Sequence, residues 1–236
     1  MTWMDDPWLG FDTETTGVDV DHDRLVTAAL VLRRGGATVD GPDLERTWLT
    51  DPGVPIPEAA TRVHGITTAR AREEGRPIIE VLDEVASTLV DHWRRGYPVI
   101  AFNAVYDMTL VDNELRRHDA GTFEERLGFH PAPVIDPLVL DRALDRYRKG
   151  KKTLAAMAPV YGVTLSEDAH TAEVDVDMTL DVLAAMARRH PSIAGMSAEE
   201  LHAYQVVEHH KWAESFEQWL RSKGRDAHIS RAWPIG

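Results

Sequence analysis

The stretch WLGFDTETTG, residues 8–17, decides how the chain is expected to fold. It opens as a short apolar strand over residues 8–12, and a second, nearly unbroken apolar run follows at residues 25–32, bounded by charged residues. Apolar runs of this length between polar segments are typical of buried strands. The sequence therefore predicts that a buried sheet begins here.

Outward from these strands, the chain carries further strand and helix signals. Residues 46–49 predict a third strand, and a proline-marked turn leads to a helix that starts near Ile56-Pro57-Glu58. Two more strands are predicted at residues 98–102 and 134–135, and helices over residues 78–93, 103–118, 138–147, 153–161 and 174–190. The pattern indicates an α/β fold with a mixed sheet.

The C-terminal part reads as a helix of its own. Residues 191–195 interrupt the preceding helix, and Ser197-Ala198-Glu199-Glu200 is a capping pattern for a helix that ends near residue 221. This helix carries a stripe of large apolar side chains formed by Trp212, Phe216, Trp219 and Leu220. We expect the stripe to pack on the main domain, in preference to forming a groove that binds a partner. We divide the chain into a main domain, residues 1–190, and a helical extension, residues 191–236.

Composition narrows the possible ligands and locations. There is no cysteine, so carboxylate and imidazole are the only strong side-chain metal ligands, and any metal is expected to be hard. The 39 acidic and 26 basic residues give a net charge of −13, the wrong sign for holding duplex DNA by phosphate neutralisation alone. No apolar run approaches the roughly 20 residues of a membrane span, so we expect a cytoplasmic location and no membrane partner.

Asp12 and Glu14 are the first candidates for chemistry. Side chains two residues apart on a strand share a face, so both carboxylates project together while Thr13 points away. Residues 15–17 end the strand in a turn, where Gly17 is expected to take a positive φ and let a substrate strand approach the backbone. Taken alone, such a pair is more often a solvated turn.

Three further residues lie at helix starts. Asp107 falls in the first turns after the strand at residues 98–102, where it either faces the first pair or only favours the helix dipole. His170 and Asp175 flank the start of a later helix, and five positions on a helix differ by about 140°. His170 is therefore expected on the preceding loop, free to swing, with Asp175 fixed on the helix.

In order and context, these segments resemble the motifs of the DEDD exonucleases. The similar branch is the histidine-bearing one, which includes the proofreading subunits of bacterial replicases, ribonuclease T and oligoribonuclease. FDTETTG resembles the first motif, FNAVYD the second and HTAEVD the third, and they contain Asp12 with Glu14, Asp107, and His170 with Asp175. The sister branch carries tyrosine where this chain has Thr171. The resemblance covers about residues 8–189.

Other segments extend the resemblance. His64-Gly65-Ile66 resembles a segment that packs on the terminal nucleotide in family members, and Lys152-Thr153-Leu154 resembles the Lys-x-Leu stretch before the third motif. Phe102 departs from the pattern, since many members carry histidine there; it and Tyr106 are expected in the core. The substrate contacts that the resemblance implies are Thr15, Gly17, His64, Ile66 and Asn103.

The resemblance implies both a fold and an activity. The fold is a ribonuclease H-like mixed five-stranded sheet flanked by helices, and the activity is metal-dependent 3′→5′ hydrolysis of single-stranded DNA or RNA to nucleoside 5′-monophosphates. Two Mg²⁺ or Mn²⁺ ions would stabilise the leaving oxygen and activate the water. His170 is the expected general base. The ions would be held by Asp12, Glu14, Asp107 and Asp175.

Two other functions and one surface stay open. The alternatives are a ribonuclease H-like endonuclease, disfavoured by the histidine motif, and a catalytically idle nucleic-acid or polymerase-binding module of the same fold, disfavoured by the complete set of acids. Expected partners are a single-stranded 3′ end and a DNA polymerase or other replication or repair protein. A basic cluster either contacts phosphates or pairs with Asp141 and Asp145: Arg142, Arg146, Arg148, Lys149, Lys151 and Lys152.

Overall fold

A five-stranded mixed sheet forms the centre of the chain, as a computed structural model that describes residues 2–34, 43–165 and 171–236 shows. The strand order is β3-β2-β1-β4-β5, with β1 to β3 antiparallel and β4 and β5 joined in parallel. Their bounds are Trp8–Thr15 (β1), Leu25–Arg33 (β2), Leu44–Leu49 (β3), Val99–Ile100 (β4) and Val134–Ile135 (β5). The predicted mixed sheet is confirmed.

Helices cover both faces of this sheet. Their bounds are Glu58–His64 (α1), Thr68–Glu74 (α2), Ile78–Arg94 (α3), Ala104–Arg117 (α4), Phe123–Leu127 (α5), Pro137–Leu144 (α6), Leu154–Met157 (α7, continued by a 3₁₀ turn at Ala158–Tyr161), Ala172–Arg189 (α8), Pro191–Ala194 (α9) and Ala198–Ser222 (α10). Within the described ranges, no helix has the length and apolar character needed to cross a membrane.

β1 runs three residues beyond its predicted end. Its polar half stays paired with β2, with Asp12 opposite Ala29 and Thr15 opposite Leu25. Backbone hydrogen bonds to a neighbouring strand do not require apolar side chains. The change from apolar to polar residues in β1 therefore marks where the candidate ligands Asp12 and Glu14 begin, and it does not mark the end of the strand.

The two faces of β1 contact different helices. Leu9 and Phe11 belong to the core shared with α3 and α4, whereas Trp8 belongs to the core shared with α8. At Gly10, on the α8 face, a Cβ atom would lie 2.4 Å from Val176 Cγ1. α8 therefore crosses β1 at a distance that only glycine permits, and its first turn lies at the polar end of the strand.

α10 packs on α6 and β5 through a narrower face than predicted. Gln205 accepts a hydrogen bond from Asp136 N–H at 2.7 Å and donates to the Val134 carbonyl at 3.2 Å. Leu220 is buried as expected, but Trp219 is 53% exposed, and the prediction that the whole stripe is core is wrong. The aromatic residues lie one position, about 100° of helix, away from the buried positions, which are Ala198, Leu201, Gln205, His209, Ala213, Glu217 and Leu220.

The C-terminal segment after α10 returns to the main core. Trp233 is buried in the same cluster as α3 and α4 side chains, and the Gly236 N–H donates to Thr109 Oγ1 at 2.9 Å. The capping box predicted at Ser197 and Glu200 is present. The domain boundary at residues 190 and 191 stays a prediction.

The close crossing at Gly10 predicts a strong effect of the smallest substitution. Gly10→Ala would force Val176 and Leu180 away from β1, so we expect it to lower the free energy of unfolding by about 1–3 kcal/mol. Urea unfolding measures the change. The matched control is Gly195→Ala, whose Cβ would meet nothing nearer than the Pro191 carbonyl at 3.6 Å. Equal midpoints for both variants would contradict the close crossing.

Candidate active site

Three carboxylates meet where β1 and α8 come together. One carboxylate oxygen each from Asp12, Glu14 and Asp175 lies within 4.8 Å of the other two. Asp12 and Glu14 lie on the face of β1 that carries Gly10, and Asp175 lies in the first turn of α8. All three side chains are half-buried. The pair predicted to share a strand face does so, and α8 adds a third acid to it.

Burial and mutual repulsion raise the pKa values of these acids. The pKa of Glu14 rises from 4.5 to about 8, mainly through burial and then through the nearby charges of Asp175 and Asp107. The pKa of Asp12 lies well above its ordinary value for the same reasons, burial first. Without a cation, Glu14 therefore holds its proton at neutral pH. Three oxygen donors within reach of one point, in a chain without sulfur ligands, fit a divalent cation that prefers oxygen.

Asp107 approaches the site by way of Thr13. Its Oδ1 accepts the Thr13 hydroxyl at 2.6 Å and the Thr13 N–H at 3.1 Å. Asp107 is 3% exposed, and burial raises its pKa although the Thr13 hydrogen bonds lower it. Asp107 lies outside the group formed by Asp12, Glu14 and Asp175 but lines a cleft together with Asp12. Three of the four predicted ligands thus cluster, and Thr13 holds the fourth beside them.

Asp136 secures the start of α4, the helix that carries Asp107. Its carboxylate accepts the N–H groups of Asn103 and Ala104, each at 3.0 Å, and that of Leu138 at 2.8 Å. Asn103 adopts a left-handed conformation with φ of 61°. Asp136 therefore joins the beginnings of α4 and α6. An aspartate before a proline predicts the start of α6 from the sequence. Its hydrogen bonds to the start of α4 join residues 32 and 33 positions apart, so no local sequence pattern predicts them.

A cleft of about 440 Å³ opens beside Asp12 and Asp107. Its walls include the predicted substrate contact Asn103 and the predicted Lys-x-Leu stretch, and they are formed by Phe102, Asn103, Tyr106, Leu138, Arg142, Lys152, Thr153 and Leu154. Phe102 and Tyr106 were expected in the core. Each packs partly against it and also lines the cleft, because both lie where the end of β4 turns into α4.

A smaller cleft of about 160 Å³ lies on the other side of Glu14. His64 and Ile66, both predicted substrate contacts, line it together with Arg70 and Glu173. His64 Nδ1 accepts the Ile66 N–H at 3.1 Å, which places the ring proton on Nε2. Nε2 is buried and makes no hydrogen bond of good geometry. Burial lowers the pKa of His64, and the nearby Thr15 carbonyl partly opposes this effect.

The turn after β1 differs from its prediction. Gly17 has no positive φ; instead, a Cβ at Gly17 would lie 2.5 Å from the Asp23 carboxylate, which also accepts the Thr16 hydroxyl at 2.7 Å. The hydroxyls of Thr15 and Tyr106 lie 2.6 Å apart, and both reach the Gly17 carbonyl. Gly17 is therefore required by packing inside the turn. The predicted substrate contacts at Thr15 and Gly17 lie on a turn fixed by Tyr106.

The remaining predictions concern a histidine and a basic cluster. His170 lies outside the described residues, so its role stays a prediction. In the cluster, buried Asp141 pairs with Arg148 at 2.9 Å and Lys152 at 2.5 Å, whereas Asp145 forms no ion pair within the described ranges. The same holds for the other four members, Arg142, Arg146, Lys149 and Lys151. Pairing thus accounts for two of the six basic residues.

Known proteins resemble this chain in sequence. A PolC-type DNA polymerase III from Lacticaseibacillus paracasei is 28% identical over 190 residues, which are 80% of this chain and 12% of that protein. The PolC-type DNA polymerase III from Staphylococcus aureus is 29% identical over 199 residues, or 84% of this chain and 12% of that protein. The chain spans about an eighth of the length of these curated relatives.

Solved structures share its fold. Exonuclease I of E. coli in complex with a dA16 oligonucleotide aligns with a TM-score of 0.69 and 20% identity, covering 87% of this chain and 44% of that one. Exonuclease I from Methylocaldum szegediense aligns with a TM-score of 0.66 and 21% identity, covering 88% and 46%. The mixed five-stranded sheet flanked by helices is thus the ribonuclease H-like exonuclease fold.

A sequence profile of the exonuclease family matches residues 9–183, from β1 into α8. The match contains every acid of the site and leaves out α9 and α10. The chain therefore belongs to the exonuclease family, in its DEDDh (DnaQ-like) branch, and has the ribonuclease H-like fold.

Proposed function

We propose that the chain removes nucleotides from the 3′ end of single-stranded DNA and releases nucleoside 5′-monophosphates. The observation that carries the proposal is the cluster of Asp12, Glu14 and Asp175 between two clefts, with Asp107 beside it. DNA is favoured over RNA because the sequence relatives are DNA polymerases and solved structures of exonuclease I contain DNA oligonucleotides. A replication protein is the expected protein partner on the same grounds.

The two clefts give a strand a place on each side of the acids. The smaller cleft would take the terminal nucleoside against His64 and Ile66, whose apolar and imidazole surfaces suit a base or sugar. The larger cleft would take the preceding nucleotide, with Arg142 and Lys152 near its phosphate. The bond to be cut then lies between the clefts, next to the carboxylates.

The acids are the proposed ligands of two Mg²⁺ or Mn²⁺ ions. Such ions, when bound, lower the pKa of the attacking water and stabilise charge on the leaving 3′ oxygen. Asp12, Glu14 and Asp175 already lie within reach of one ion. Both bonds from Thr13 use Oδ1 of Asp107, which leaves Oδ2 for a ligand. His170, next in the chain to the α8 N-cap Thr171, is the proposed group that accepts the proton of the water.

A labelled strand tests the activity. With Mg²⁺ or Mn²⁺, a 3′-labelled single-stranded oligonucleotide should release labelled mononucleotide first, a 5′-labelled one should shorten stepwise, and a circular strand should stay intact. Asp12→Asn should abolish release because it removes a ligand charge. The control is Glu58→Gln, an exposed acid on α1 whose ion-pair partner among the described residues is Arg62.

Each failure points to a different function. Internal cuts in the circular strand would support an endonuclease. No release from DNA, RNA or short oligomers by metal-loaded protein would support a binding module without activity. Faster release from short oligoribonucleotides than from DNA of the same length would overturn the DNA preference.

His170→Ala should slow the chemical step about 10²–10⁴-fold, because the water then loses its proton to solvent. Metal binding should change little, since the histidine is not a proposed ligand. Single-turnover rates with saturating protein measure the first effect, and the shift of melting temperature on adding Mn²⁺ measures the second. A near-normal rate would remove His170 from the mechanism.

The raised pKa values predict a link between pH, metal and stability. With the pKa of Glu14 at about 8 in the folded chain against 4.5 ordinarily, the folded metal-free chain binds more protons than the unfolded chain in that range. The free energy of unfolding without metal therefore falls as pH rises from about 5 to 8. Because metal replaces these protons, the rise in melting temperature on adding Mn²⁺ should grow over the same range.

Thermal unfolding in chelator and in excess Mn²⁺, at several pH values, measures this effect. Glu14→Gln should flatten the pH dependence, whereas Glu58→Gln should leave it unchanged. A metal-induced shift that is constant from acid to neutral pH would contradict the assignment.

A further inference from the structure

α10 carries a column of stacked aromatic rings that the site described above does not use. Trp212 and Phe216 stack with centroids 5.4 Å apart at 15°, and Phe216 and Trp219 with centroids 5.8 Å apart at 12°. The guanidinium of Arg142 lies 3.7 Å from the centroid of the Trp212 ring. We call these three rings the aromatic column. Arg142 covers one end of it, and Trp219, 53% exposed, forms the other.

Arg142 links the aromatic column to the candidate active site. It lines the large cleft with Asp12 and Asp107, and also a groove of about 100 Å³ formed with Arg146, Lys211 and Trp212. The column thus begins where the cleft ends. A strand whose 3′ end lies at the carboxylates would reach the column by passing Arg142.

The guanidinium of Arg142 is not neutralised by a carboxylate. Asp136 and Asp141 attract it, but Asp136 accepts backbone N–H groups and Asp141 pairs with Arg148 and Lys152. Among the described residues, Arg142 has no ion pair, and the contact with Trp212 leaves its N–H donors available. A half-buried guanidinium with free donors beside an aromatic face fits a phosphate of a nucleotide chain.

The surroundings of the column carry both acidic and basic residues, among them Glu208 on the groove and Glu214 on α10. Arg146, Lys223 and Arg225 form no ion pair within the described ranges, although the whole chain carries a net charge of −13. Lys211 pairs with Glu208 at 2.6 Å, so that pair adds little net charge. Arg146 thus adds an unpaired cation to the groove beside Trp212, and Lys223 and Arg225 follow Trp219 closely in the chain.

We propose that the aromatic column, with Arg142 and Arg146, is a second binding site for single-stranded nucleic acid, and that it holds the strand upstream of the scissile 3′ end. Phosphates lie against the two arginines, and a base stacks on the exposed face of Trp219. Aromatic faces with flanking cations bind single strands without sequence preference. The inference rests on the proposed function, since it requires a nucleic-acid substrate, and it gives α10 a role in substrate length.

The test compares short and long substrates. In the proposed binding mode, a trinucleotide would end at or before Arg142, whereas a dodecanucleotide would extend past it. Trp219→Ala should raise KM for the dodecanucleotide about five- to tenfold, the effect of losing one stacked base, and leave kcat and the trinucleotide KM unchanged. Trp219→Phe should restore most of the affinity. Val207→Ala, which removes another exposed apolar side chain from α10, is the matched control.

Arg146→Gln provides a second measurement that does not depend on stacking. Each phosphate contact contributes about −0.9 to the slope of log affinity against log salt for duplex and about −0.7 for single strands. The slope for the dodecanucleotide should therefore become shallower by about that amount, with no change for the trinucleotide. An unchanged slope would remove Arg146 from the site.

The outcomes separate this inference from the proposed function. If wild-type protein cleaves both substrates and Trp219→Ala does so equally well, the second site is wrong and the exonuclease activity stands. If wild-type protein cleaves neither, the proposed activity fails, and fluorescence anisotropy of a labelled dodecanucleotide decides the second site by the same variants. If Trp219→Ala keeps nucleic-acid affinity but loses binding to a purified replicase subunit, the column is a protein-docking surface and the inference is overturned.

Discussion

α8 lies against β1 with no side chain between them at Gly10, and the position of the acids follows from this contact. It sets the first turn of α8 at the polar end of β1, so that Asp175 meets Asp12 and Glu14. Any side chain at Gly10 would push the helix away and separate the acids. A packing requirement in the core thus determines the geometry of charged groups several residues further along the strand.

The acids lie close together, and burial together with their mutual repulsion raises their pKa values in the metal-free chain. Hydrogen bonds on the other side of β1 oppose the repulsion. Thr13 holds Asp107, and Asp136 holds the start of α4 through backbone N–H groups. These hydrogen bonds hold the backbone around the acids without a ligand, and a cation that binds there would replace protons. Such preorganisation suits a reaction that depends on charge stabilisation.

The way α10 docks also decides which of its side chains are exposed. Its buried face docks on α6 and β5 through Leu201 and Gln205, whereas the aromatic residues lie one position away from the buried ones, with Trp219 exposed. Arg142, on α6, lies between the candidate active site and those rings. Docking of α10 thus extends the surface available to a strand beyond the family domain, which ends inside α8.

Local chemistry in the sequence determined the order of the five strands and of the longer helices, though not the short helices α2, α5 and α9. It also determined the shared face of Asp12 and Glu14 and the capping of α10, because each depends on neighbours within a few positions. Its motifs also identified the family. Only the tertiary structure decided that β1 continues to Thr15, that Gly17 makes room for Asp23, and that Trp219 is exposed. Those outcomes, like the hydrogen bonds of Asp136, depend on contacts with other segments. The spacing of residues along the chain does not indicate these long-range contacts.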